Sequence, residues 1–224
     1  MSVTIHQMPH SPFCIPITTA LTALGIAHET REVPNWDRRA ILELTSGAYY
    51  QVPVLVHDGR VIFEGAADSQ DVAHYIDQTW AGGRLFPDGV DGLQAILLDF
   101  IENEIEARTF KLTDVHYLET VKDTGERGMI VRHKERRFGR GCVEQWRRSA
   151  NSIRAEADAL LARFETTLRH SAFIFGETPV YTDYALYGIL GNLCWNDWNR
   201  LSGEQNALVQ WRTRMAAWRF PATA

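Results

Sequence analysis

The sequence predicts an α/β unit followed by an all-helical domain, and three observations carry that prediction. Short apolar runs alternate with helical periodicity over residues 1–80. One Asp-Gly pair, Asp58-Gly59, marks a hairpin between two such runs. Beyond residue 91 only the helical period remains.

Val3 to Met8 reads as a first strand. Ser11, Pro12 and an amphipathic stretch from Ile17 to Leu24 then make a helix start, with Ser11 as its cap and Pro16 tolerated in the first turn. Gly25 closes that helix. Ala27 to Val33 is a second strand and Arg38 to Leu44 a short helix. Gln51 to Val56 and Arg60 to Phe63 flank the hairpin. Asp68-Ser69 is a capping pair for a helix that runs through Val72, Tyr75 and Ile76 to Trp80. The resulting order, β-α-β-α-β-β-α, fills residues 1–80.

Gly82, Gly83, Pro87 and Gly89 break all periodicity, so residues 81–91 are expected to link two domains. Residues 92–224 form the helical part. Leu93, Ile96, Leu97, Phe100, Ile101 and Ile105 make one apolar stripe, and Val143 to Leu168 carry a second. Two further helices over roughly 183–200 and 205–218 carry Trp195, Trp198, Trp211 and Trp218 as expected core residues.

Composition excludes several classes. The chain has 45% hydrophobic and 11% aromatic residues, enough for a core. Its charge of −5 falls entirely in residues 1–80, which argues against nucleic acid as the main partner. No apolar run is long enough to cross a membrane. Three scattered cysteines make no disulfide framework, and a cytoplasmic location is expected. The eight histidines show no metal-ligand spacing, so no metal is expected. Residues 127–148 are locally basic and Gly-broken, reading either as a solvated surface or as a cationic flap.

The turn His10-Ser11-Pro12-Phe13-Cys14 places a hydroxyl and a thiol at a helix N-terminus, where free amides and the dipole suit a thiolate. Ser11-Pro12-Phe13-Cys14 is similar to the Cys-Pro-Phe-Cys site of glutaredoxins with Ser in the first position. Gln51-Val52-Pro53-Val54-Leu55 resembles the cis-Pro strand of the cytosolic glutathione transferases. Asp68-Ser69 through Ile76 resembles their γ-glutamyl-binding segment. Leu85-Phe86-Pro87 and the run Phe175 to Asp183 are similar to their domain exit and to the start of their buried sixth helix.

This resemblance implies a thioredoxin-like first domain, an all-helical second domain that holds an electrophile, and a homodimer with glutathione as co-substrate. It implies that Ser11 is catalytic, donating a hydrogen bond to the glutathione thiolate. Phe13, Trp36, Gln51, Val52, Pro53, Asp68 and Ser69 would bind glutathione, with Glu64 the alternative to Asp68. Val180 departs from the family's capping Ser or Thr, leaving only Asp183 of that box. Two other readings stand beside the transferase. One is a glutathione-dependent thiol oxidoreductase that uses Cys14 as a redox thiol. The other is a non-catalytic ligand-binding dimer of the same fold.

Overall fold

In the computed structural model, which describes residues 2–66 and 70–221, strand β1 (Val3–Gln7) forms the middle of a four-stranded sheet. β2 (Glu29–Glu32) pairs parallel with one edge of β1. β3 (Val54–His57) pairs antiparallel with the other edge, and β4 (Arg60–Ile62) antiparallel with β3. The hairpin between them turns on Asp58 and Gly59, whose φ values of 46° and 84° are what a two-residue primed turn requires.

Helices cover both faces of this sheet. α1 (Cys14–Ala23) and α3 (Asp71–Ile76) bury Ile17, Leu21, Val72 and Ile76 against Val3, Ile5 and Leu55. The opposite face carries α2 (Arg39–Leu44), whose Ile41 joins Cys14, Val33, Val52 and Val54 in a smaller cluster. Strand alternation separates Val54 from Leu55 in this way. This is a thioredoxin-like layer. α1 starts at Cys14, three residues earlier than expected, and Ser11 does not cap it with its side chain. Instead the Ser11 carbonyl accepts the Cys14 and Ile15 N–H groups, both at 3.1 Å.

After α3 the chain passes through a π-helical turn, Asp77–Ala81, to Gly82 and Gly83, both at positive φ. Buried polar side chains pin the next stretch. Asp77 accepts the Leu85 N–H at 2.8 Å, while Gln94 donates to the Leu85 carbonyl and accepts from the Thr182 N–H and hydroxyl.

The rest is helical. α4 (Asp91–Phe100) runs through a π-helical stretch, Ile101–Glu106, into α5 (Ala107–Thr120). α6 (Thr124–Phe138), α7 (Cys142–Arg148), α8 (Ala150–Leu168), α9 (Tyr181–Leu193) and α10 (Asn206–Ala217) follow. Asp123 caps α6 by accepting the Glu126 N–H at 2.9 Å, the helix runs through Gly125 and Gly128, and the Gly break expected in the basic segment falls at Gly139 and Gly141, between α6 and α7. Two expectations are corrected here. Leu93 and Ile96 are exposed, Ile96 at 71%, and the buried side of α4 holds Gln94 and Leu98 instead. The helix expected over 183–200 ends at Leu193, and Asn196 turns into the left-handed region at φ 50°.

α9 is the buried spine of the helical half and packs directly on α1. Its start is held by Asp183, which accepts the Val180 N–H at 3.1 Å, the Ile174 N–H at 3.0 Å and the Trp211 indole N–H at 2.9 Å. Val180 offers no side-chain oxygen, so only this half of a capping box exists.

Candidate functional site

A cleft of about 480 Å³ opens between the two halves of the chain. On the sheet side Phe13, Tyr49, Gln51, Val52, Pro53, Glu64 and Gly65 line it. On the helical side Asn103, Glu106, Arg137 and Tyr181 do so, and Gln70 and Glu102 close one end. Gln70 spans the halves, donating to the Glu102 carboxylate at 2.5 Å.

The sheet side is built from two local features. Val52–Pro53 is a cis peptide bond at the entrance of β3. Beyond β4, the Glu64 carboxylate accepts the Asp71 N–H at 2.5 Å and the Val72 N–H at 3.4 Å, which places an acid on the free amides that open α3. That arrangement suits the partial positive charge of a helix N-terminus. Glu64 is therefore both a helix cap and a wall of the cleft. Asp68 and Ser69, the residues expected in that role, lie outside the described residues.

Ser11 is 4% exposed and is not on the cleft lining. Its Oγ accepts the Phe13 N–H at 3.3 Å. Phe13, one residue beyond the Pro, does reach the cleft and is 40% exposed. Cys14 is wholly buried, and desolvation pushes its thiol up to about 11 against smaller opposing effects of Ser11, the Met8 backbone and Arg38. A buried thiol of that kind is a poor nucleophile, which counts against the redox role given to Cys14. Trp36 is exposed and does not line the cleft.

The loop carrying Ser11 is held from the helical half. Asn192 on α9 donates through Nδ2 to the His10 carbonyl at 2.6 Å, and the His10 ring stacks on Tyr117 with centroids 4.6 Å apart. Burial lowers the His10 pKa. Arg38 reaches the same region, donating to Asn35 Oδ1 at 3.3 Å, and desolvation lowers its pKa as well.

No motif in the sequence singles out Glu106. Desolvation pushes its carboxyl up to about 7, with Lys134, Asp114, Arg137 and Glu102 as smaller influences. Its position was not legible because Glu102-Asn103-Glu104 reads as a solvated face. The π-helical stretch ending at Glu106 shifts the phase of the following residues away from a 3.6-residue count. Among the described residues no group of three or more His, Cys, Asp or Glu is placed to hold a metal ion, and no helix is long and apolar enough to cross a membrane.

A thioredoxin-like layer with a cis-Pro strand faces a helical half across a shared cleft. Comparison with known proteins shows what this arrangement is similar to. The family described as "Glutathione S-transferase, N-terminal domain" matches residues 5–83. Glutathione S-transferase U6 of Arabidopsis thaliana is 34% identical over 77 residues, 34% of this chain and 33% of that protein. A probable glutathione S-transferase of Nicotiana tabacum is 32% identical over 78 residues, 35% of this chain and 33% of its own length. The matched part thus spans about a third of these relatives.

Solved structures extend the likeness in fold to the whole chain. Glutathione transferase GSTFuA3 from Phanerochaete chrysosporium superposes with a TM-score of 0.81 at 16% identity, covering 100% of this chain and 99% of that one. The Ceriporiopsis subvermispora enzyme CsGST63524, solved in complex with glutathione, gives 0.80 at 15% identity and covers 100% of both chains. Residues 5–83 are thus similar to the glutathione S-transferase N-terminal domain family, and the chain as a whole shares the fold of these solved glutathione transferases.

Proposed function

We propose that this protein is a glutathione transferase that binds glutathione on the sheet side of the cleft and an electrophile against its helical side. The observation that supports it most is the shared cleft itself. It brings Phe13, Gln51, Val52, cis-Pro53 and Glu64 to one wall, with Glu106, Arg137 and Tyr181 opposite. Gln51 and Val52 hold the tripeptide backbone in this reading. The γ-glutamyl ammonium pairs with Glu64, whose carboxylate lies on the cleft wall at the start of α3. Asp68 and Ser69 for the γ-glutamyl group, and Trp36 for the glycyl end, are candidates from the sequence resemblance alone.

Ser11 is the thiolate-stabilising hydroxyl. Lowering a thiol pKa by about two units takes roughly 2.7 kcal/mol. One hydrogen bond to a charged acceptor supplies about 1.5–3 kcal/mol and the α1 N-terminus about 0.3–1 more. To act so, its hydroxyl proton is donated to glutathione sulfur while Oγ keeps accepting the Phe13 N–H. The protein works as a cytoplasmic homodimer in this reading, with exposed Leu93 and Ile96 of α4 as supporting apolar surface.

Calorimetric titration with glutathione, followed by turnover of chlorodinitrobenzene, tests the proposal. Binding together with turnover is expected. Binding without turnover of any electrophile would favour a ligand carrier, and disulfide reduction lost in Cys14→Ser would favour the oxidoreductase.

A further inference from the structure

We propose that Glu106 is a proton-donating catalytic residue, and that it fits the helical side of the cleft to conjugated enones and enals, electrophiles that take up negative charge on a carbonyl oxygen. The inference rests on the glutathione transferase reading above.

Three observations place it. Glu106 lines the cleft on the wall opposite Phe13, Val52 and Pro53, where an electrophile facing the bound thiol would lie. Among the described residues its carboxylate accepts no hydrogen bond and forms no ion pair, although basic residues are close. Lys134 of α6 is committed to an ion pair with Asp114 of α5 and also lies over the Phe110 ring, 5.3 Å from its centroid. Arg137 of α6 lines the same cleft, and its guanidinium lies over the Phe138 ring, 5.3 Å from the centroid. The fourth charge facing Glu106 is Glu102 on its own helix.

Desolvation then dominates, and the carboxyl carries its proton up to about pH 7. A group with a pKa near the working pH is what general acid catalysis needs. Lys134 and Arg137 favour the carboxylate that forms once the proton has left.

The step balances without any further reagent. The glutathione thiolate forms a C–S bond to the β-carbon, and the alkene pair shifts to leave an enolate. The Glu106 O–H bond breaks as its proton passes to the enolate oxygen, and the enol tautomerises to the saturated carbonyl. The carboxylate regains, through solvent, the proton that the glutathione thiol gave up. An aryl chloride makes no such demand, because chloride departs as a stable anion.

The experiment compares kcat for benzalacetone and for chlorodinitrobenzene, with glutathione, in the wild type and in Glu106→Gln. In the wild type the enone-to-aryl-chloride ratio should fall as pH rises through about 7, following loss of the acid. Glu106→Gln should lower that ratio by about tenfold or more at low pH and flatten its pH dependence. An unchanged ratio and an unchanged profile in a variant that still turns over the aryl chloride would overturn the role of Glu106 alone. A wild type that turns over neither electrophile would overturn the transferase reading, and this inference with it.

Discussion

Gly188 of α9 lies so close to Pro12 that a Cβ at that position would come within 2.3 Å of the Pro12 carbonyl oxygen and 2.5 Å of the Pro16 ring. The contact joins the buried spine of the helical half to the turn that carries Ser11. Neither obstacle is a flexible side-chain end. The backbone at Pro12 and the ring in the first turn of α1 would both have to shift.

Gly188→Ala should therefore push the Ser11 turn away from the cleft. Its expected signature is a loss of both kcat and glutathione affinity, together with destabilisation of about 1–3 kcal/mol from overpacking. Glutathione titration and a denaturant melt of the same preparation would measure both. Native values for the two would show that α9 does not set the position of the turn.

Ser11→Ala should lower kcat and raise the apparent pKa of the bound thiol in the pH–rate profile, while glutathione affinity changes little. The hydroxyl is asked to favour thiolate over thiol and not to anchor the tripeptide. A profile that superposes on the wild type would remove Ser11 from the mechanism. That outcome would fit a hydroxyl that serves only the local turn through its bond to the Phe13 N–H.

Glu64→Gln keeps an acceptor oxygen for the amides of α3 but removes the charge offered to the glutathione ammonium. Glutathione affinity should drop by roughly 2–5 kcal/mol if that ammonium is left buried and unpaired. Asp68→Ala, measured alongside, should have the smaller effect. The reverse ranking would give the ammonium to Asp68 and leave Glu64 as a helix cap.

Asp183→Ala strips the acceptor from three buried donors, the Ile174 and Val180 N–H groups and the Trp211 indole. Destabilisation of roughly 3–5 kcal/mol is expected from the unsatisfied groups. Urea unfolding measures it, and a loss under about 1 kcal/mol would mean that water replaces the carboxylate.

Local chemistry made much of the fold legible in the amino-acid order. Asp58-Gly59 specified the hairpin because few residues adopt positive φ in succession, and apolar period distinguished the sheet layer from the helices that follow it. Signals of this kind act over a few residues and need no partner.

Tertiary structure decided what depends on contact across long separations. Exposure of Leu93 and Ile96, set by which side of α4 meets the core, cannot be read from a stripe alone. A π-helical stretch, invisible to a 3.6-residue count, brings Glu106 into the cleft across from Phe13. Asp123 starts a helix through glycines that looked like a break, because a satisfied cap and the packing of Ile130 outweigh about 1 kcal/mol of propensity per glycine. Desolvation follows from packing and not from sequence neighbours, and for that reason the protonation of Glu106 and the burial of Cys14 became visible only in the folded chain.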